Sequence, residues 1–199
     1  MSEFGKSFRR GLSRLMLRVL QKPRVVLYRL LSSNRPKGTA TRFQPIQTCG
    51  LGTIEFGLDV KFGVFPSPYF FSTYAYLEAR NPSASIAIGA GAWINNNFCV
   101  IAEHTCITIG KNCRIGANVE ILDSDFHGMR VAERSISRPE WAKQVNIGND
   151  VFIGSNVTIL KGVSIGDGSI IANGAVVARN IPGGVVAGGS PAKLLKVLE

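Results

Sequence analysis

Histidine is nearly missing from this 199-residue sequence; only His104 and His127 occur. A metal centre built on three histidines is therefore excluded. Cysteine is sparse as well. Cys49, Cys99, Cys106 and Cys113 form no C-x-x-C pair, so no recognisable zinc motif is present and these residues read as small buried or half-buried side chains. No apolar run approaches the ~18 residues that a membrane-spanning helix requires. Arg14 and Arg18 interrupt the apolar residues near the N-terminus, where a secretion signal needs a continuous apolar core. A cytoplasmic location is expected.

Acidic residues are also few, 13 against 23 Lys and Arg. The imbalance is local, because residues 1–37 hold ten basic residues and Glu3 as their one acid. Residues 42–199 are close to neutral, which argues against a nucleic-acid partner for that part of the chain. Within residues 1–41, Phe8, Leu12, Leu15, Met16, Val19 and Leu20 recur at helical spacing, with Arg10, Arg14 and Arg18 on another face. This predicts a basic amphipathic helix over residues 7–21. Pro23 is expected to break or kink it. A second short segment, Arg24–Leu31, follows, and 32–41 reads as a linker. Such an arm either meets an anionic membrane surface peripherally or packs its apolar stripe on protein.

Glycine is plentiful, at 22 residues, and is regularly spaced in the second half. From Ile147 the chain divides into six consecutive six-residue units opening at Ile147, Ile153, Ile159, Ile165, Ile171 and Val177. A small residue follows the opening aliphatic in five of them, Leu160 being the exception. Earlier units open at Ile88, Ile94, Ile109, Ile115 and Ile121, and Ile101-Ala102 fits with a one-residue slip. Six residues are too few for a helical repeat and suit one short strand plus one tight corner. Three units close a triangular coil, and stacked coils bury the opening aliphatics against each other. The predicted fold class is an all-β solenoid with an N-terminal helical arm, the solenoid spanning residues 42–199.

This repeat, with the ending Ala178-Arg-Asn-Ile-Pro-Gly-Gly-Val-Val-Ala-Gly-Gly-Ser-Pro-Ala-Lys193, resembles the hexapeptide-repeat acyltransferases, in particular the sugar and xenobiotic O-acetyltransferases. The resemblance covers roughly residues 50–196 and is tightest over Ile109–Lys196. It implies a left-handed parallel β-helix, acetyl-CoA as co-substrate without a metal, a sugar or glycan acceptor, and a homotrimer with its active site between subunits.

The repeat is interrupted most clearly from Asp123 to about Gln144, a loop excursion over residues 124–144 that carries Arg130, Arg134, Arg138 and Trp141. Long excursions from a compact domain are usually functional. His127 lies at its root, where the resemblance places a catalytic base. Imidazole titrates near neutrality and so can take a proton from an attacking hydroxyl. Asp123, Asp125 or a backbone carbonyl would hold its other ring nitrogen; Asp125 is the side chain assigned beside His127. His104 is read as structural. The polar run at Asn95–Asn97 resembles the family's acceptor-binding segment, which points to Asn96 or Asn97, although Asn also suits left-handed corners. By the same resemblance Ser155, Asn173 and Ala178 line the coenzyme groove, with an oxyanion donor near Ser155. Arg179, Lys193 and Lys196 would meet the nucleotide phosphates.

The leading function is O-acetylation of a sugar in surface polysaccharide or lipopolysaccharide biosynthesis, by a cytoplasmic enzyme held at the inner membrane face by its arm. Two other readings are N-acetylation of a nucleotide-linked amino sugar and a non-catalytic trimeric scaffold. A carbonic anhydrase on this fold would need more histidines than the chain contains.

Overall fold

The computed structural model describes residues 3–199. One helix, α1 (Glu3–Leu31), precedes nineteen short strands. The strands form three walls. The first contains Ala40–Arg42, Val60–Phe62, Trp93–Ile94, Arg114–Ile115, Phe152–Ile153, Ile170–Ile171, Val185–Gly189 and Ala192–Val197. The second runs through Ile46–Cys49, Ala75–Ala79, Cys99–Ala102, Glu120–Leu122, Thr158–Ile159 and Val176–Val177. Thr53–Phe56, Ser85–Ile88, Cys106–Ile109, Val145–Ile147 and Ser164–Ile165 make the third. The chain visits the walls in turn, and every wall pairing is parallel except that of the closing hairpin. This is the left-handed parallel β-helix that the repeat predicts.

Each unit's opening aliphatic faces inward and stacks on its counterpart one coil away. Ile94, Ile115, Ile153 and Ile171 form one such column, and Val100, Ile121, Ile159 and Val177 another; all are at most 3% exposed. Each buried side chain of this kind contributes about 1.5–3 kcal/mol, which explains why so short a strand can hold its register. The small residue after it turns a corner directly over the next coil. A Cβ on Gly89 would stand 2.5 Å from the Gly110 carbonyl carbon.

Three sequence expectations change. There is no slip at Ile101, because Val100 fills the inward position and pairs with Ile121. The extra residues lie at Glu103–Thr105, where the repeat pauses before Cys106–Ile109. Pro23 does not divide the arm, since α1 runs through it. Pro23 is exposed, so the carbonyl it leaves without an N–H partner faces water. The segment 32–41 is also more than a linker. Asn34 Nδ2 donates to the Gly50 and Gly52 carbonyls, the Thr48 N–H donates to Ser32 Oγ, and Ala40–Arg42 already pairs with Val60–Phe62.

The lower half of α1 packs on the solenoid. Gln21 Nε2 and the Arg24 guanidinium donate to the carbonyls of Phe70 and Thr73, and the Tyr28 and Tyr74 rings lie 4.5 Å apart. Met16, Val19, Leu20, Val26, Leu27, Leu30 and Leu31 remain exposed along the other side. The side chains of Phe8, Leu12 and Leu15, and those of Arg10, Arg14 and Arg18, lie outside the described residues.

Candidate active site

The corner joining the second wall to the third collects the irregular segments of successive coils. Arg80–Ala84, Glu103–Thr105, the excursion from Asp123 to Lys143, Leu160–Gly162 and Ala178–Asn180 stack there. Asp123 is fully buried. Its carboxylate accepts the N–H groups of Glu103 (2.7 Å), His104 (3.2 Å) and Thr105 (2.8 Å), and the Thr105 hydroxyl at 2.9 Å. Asp123 therefore braces the coil corner beneath the excursion and does not hold His127.

Glu103 is buried beside it. It accepts the Ser137 hydroxyl at 2.8 Å and pairs with Arg80 at 3.2 Å. Burial opposes the Glu103 charge, but the hydroxyls of Ser124 and Ser137 and the charge of Arg80 outweigh it and hold the carboxyl below its usual range. Arg80 also grips Glu78 with Nε and Nη2, each at 3.1 Å, and stacks its guanidinium 4.9 Å from the Phe126 ring centre. Phe126 has a left-handed backbone, φ 62°. A bulky residue there stores about 1–3 kcal/mol of strain and needs support. The Arg80 stack and the Phe126 N–H bond to Ser124 Oγ, 3.0 Å, supply it.

His127 follows directly, exposed to solvent. Its Nδ1 lies 3.1 Å from the Gly128 carbonyl oxygen. A carbonyl only accepts, so this bond places a proton on Nδ1, and in the neutral imidazole it is Nε2 that carries the lone pair. Of the three holders considered, the backbone carbonyl occupies the place. Asp125 instead pairs with Lys161 Nζ, which also donates to the Trp141 carbonyl at 2.8 Å. One lysine from the next coil thus ties together both ends of the excursion. The tether fits the local sequence, since Leu160-Lys161 is where the repeat forgoes its small corner residue.

The other expected residues divide among three places. Asn96 and Asn97 lie at the corner joining the first wall to the second, together with Ser155 and Asn173. Asn96 is fully buried; its amide donates to the carbonyls of Val64 (3.0 Å) and Pro68 (2.8 Å) and accepts the Val64 N–H. It pins the 64–68 loop and is shielded from any acceptor. Asn97, Asn118 and Asn156 have φ between 57° and 60° and form an amide ladder, with 2.7 and 2.9 Å links. The Ser155 N–H, expected near an oxyanion, already donates to Asn173 Oδ1 at 2.8 Å. Ala178 and Arg179 are exposed on the His127 corner, whereas Lys193 and Lys196 are exposed on the last strand of the first wall. A full side of the prism, roughly 15 Å of extended chain, separates the two corners.

None of the cysteines is disulfide-bonded. Burial, followed by Glu120 and Glu78, pushes the Cys99 thiol up to about 12, and burial also raises Cys113. Neither makes an accessible thiolate nucleophile. His104 Nδ1 meets Asn81 Nδ2 at 3.3 Å, in keeping with a structural part. Among the described residues no group of three His, Cys, Asp or Glu side chains is arranged to hold a metal ion.

Family models match two stretches: "Bacterial transferase hexapeptide (six repeats)" over residues 144–179 and "Hexapeptide repeat of succinyl-transferase" over residues 106–129. Over these stretches the chain is similar to the hexapeptide-repeat transferases. Among solved structures, this chain is 31% identical to a polysialic-acid-specific acetyltransferase, with a TM-score of 0.57 over 77% of its own length; the match spans 64% of that protein's length. A polysialic acid O-acetyltransferase is 26% identical, with a TM-score of 0.61 over 82% of this chain and 74% of the other. A hexapeptide-repeat acetyltransferase from Vibrio cholerae, solved with acetyl coenzyme A, is 25% identical, with a TM-score of 0.56 over 100% of this chain and 91% of its own.

Arg80, Glu103 and Lys161 are the site residues that the sequence did not single out. Glu103 stands in the three-residue pause before Cys106, and Lys161 follows the one large corner residue, so both sit at breaks in the repeat. Arg80 lies in a less regular stretch and carries no comparable signal.

Proposed function

We propose that this protein transfers the acetyl group of acetyl-CoA to a sugar hydroxyl, with His127 as the general base. The observation that carries the reading is the His127 bond to the Gly128 carbonyl, which leaves a basic Nε2 exposed at the root of a braced excursion. Nε2 takes the acceptor hydroxyl proton as that oxygen attacks the thioester carbon. The tetrahedral oxyanion then collapses, the C–S bond breaks, and the departing coenzyme thiolate takes the proton from the imidazolium. No enzyme nucleophile is required, in keeping with the raised thiols of Cys99 and Cys113.

The coenzyme would lie along the stacked corners, with Arg179, Lys193 and Lys196 toward its phosphates. Ser155 and Asn173 share one corner, while His127, Ala178 and Arg179 share another. One chain does not bring these sets together, so a neighbouring copy must present its own corner to complete the site. This supports a homotrimer with the active site between subunits. Two of the acetyltransferases similar to this chain are named for polysialic acid, an anionic glycan, and another for galactosides, which favours O-acetylation of a surface glycan or its precursor. The exposed apolar row of α1 and the basic arm suit an enzyme held peripherally at the inner face of the membrane. The test is acetyl-CoA thiol release over a panel of sugars and amino sugars. Release that depends on a hydroxyl acceptor is expected; release with amines alone would replace O- by N-acetylation.

A further inference from the structure

The base of α1 and the first coil enclose two adjoining cavities away from the His127 corner. The first, about 420 Å³, is lined by Arg29 and Arg35 from the end of the arm and by Arg42 from the first strand. Arg35 is fixed in place by donating to the Arg29 and Ser32 carbonyls, at 3.1 and 2.9 Å. Arg42 is half-buried. Burial, and after it the charges of Arg29 and Arg35, push its guanidinium below its ordinary range. Among the described residues no carboxylate forms a salt bridge with any of the three. Arg29 and Arg35, exposed where they line the cavity, repel the half-buried Arg42, and an anion placed among the three would relieve that cost.

The second cavity, about 580 Å³, is walled mainly by apolar side chains, among them Leu17, Phe43, Phe65, Phe70 and Trp93. Its size and lining suit an apolar ligand. Arg42, Val25 and Val26 line both cavities, so the charged chamber opens beside the apolar one. Val26 is also 56% exposed within the apolar row of α1, which gives an apolar chain a way in.

We propose that this pair of cavities is a second binding site, for an amphipathic phosphate such as an alkyl or isoprenoid phosphate. The phosphate group lies among Arg29, Arg35 and Arg42, and the chain occupies the apolar cavity. A phosphate monoester carries up to two charges and three acceptor oxygens, which suits converging guanidinium forks better than a lone carboxylate does. The inference does not depend on the acetyltransferase reading and places the ligand outside the His127 corner.

Calorimetric titration of the full chain with decyl phosphate, inorganic phosphate and decanol tests it. Saturable decyl phosphate binding is expected, weakened about tenfold or more by Arg42→Gln. Arg29 is exposed, so Arg29→Gln gives the same reading if the Arg42 variant fails to fold. Leu17→Trp, at a residue that lines the apolar cavity and not the charged one, should weaken decyl phosphate while leaving inorganic phosphate unchanged. Lys111→Gln, at a distant corner, should alter neither. Sedimentation with phosphatidylcholine vesicles, with and without phosphatidic acid, shows whether a membrane lipid is a source of the ligand; the acidic vesicles should retain the protein, and decyl phosphate should reduce that retention in wild type and not in the Arg29 variant. Decanol binding as tight as decyl phosphate, or charge variants binding decyl phosphate like wild type, overturns the proposal. Inorganic phosphate binding as tightly as decyl phosphate overturns the apolar half of the site.

Discussion

Removing the Asp123 carboxylate tests how the excursion is anchored. In Asp123→Ala the N–H of Glu103 loses a charged acceptor in a buried setting, and the half-buried His104 and Thr105 groups lose theirs nearer to water. A charge-assisted hydrogen bond contributes about 1.5–3 kcal/mol net, and a partly exposed one nearer 1 kcal/mol. The sum, with water replacing part of the loss at His104 and Thr105, is about 3–5 kcal/mol. That is a large share of the roughly 5–15 kcal/mol by which domains are stable. For a chain of this length it lowers Tm by roughly 6–20 °C. The assay is thermal and urea unfolding of wild type and variant at one protein concentration, because oligomer stability varies with concentration. Asp123→Asn keeps one acceptor oxygen but turns an amide donor toward N–H groups, and should fall between the two. An Asp123→Ala Tm within about 3 °C of wild type would refute the reasoning, because the three N–H groups would then have other partners.

Arg80→Ala frees the strained Phe126 and should lower kcat about tenfold or more while leaving the KM for acetyl-CoA unchanged; Arg80→Lys should not rescue it, since the guanidinium fork and stack are lost. Glu103 is held below its usual range, so its stabilising contribution is present at neutral pH and lost as pH falls through its folded value. Unfolding measured from pH 6 downward should show Glu103→Gln to be less acid-sensitive than wild type. Gly116→Ala would bring a Cβ to 2.6 Å from the Gly154 carbonyl carbon and the Ser155 nitrogen; both are backbone atoms, so a loss of about 2–4 kcal/mol is expected in urea unfolding. With its thiol raised to about 12, Cys99 should be alkylated by iodoacetamide at pH 8 at least about a hundredfold more slowly than an unhindered cysteine, as followed by mass spectrometry.

The solenoid was legible because each inward aliphatic repeats a single physical requirement, so Ile147 through Val177 give the register without reference to distant residues. The place of His127 was legible for the same reason: it marks where that requirement lapses. Its partners were not. Asp123, Asp125 and a carbonyl look equivalent in sequence, and only the fold shows that Glu103–Thr105 claims the first and Lys161 the second. Asn96 illustrates the opposite difficulty. A polar run at a corner reads as exposed until the 64–68 loop covers it. The continuity of α1 through Pro23 was likewise hidden, because the tethers at Gln21 and Arg24 come from residues some fifty positions away.

The most direct test of the central claim is acetyl-CoA turnover by wild type and His127→Ala, with coenzyme affinity measured on both proteins. The account predicts acceptor-dependent thiol release that falls by about 10²–10⁴ in the variant, with coenzyme affinity nearly unchanged. Equal turnover by the two proteins would remove His127 from the chemistry, and a wild-type protein that binds no coenzyme would contradict the assignment as an acetyltransferase.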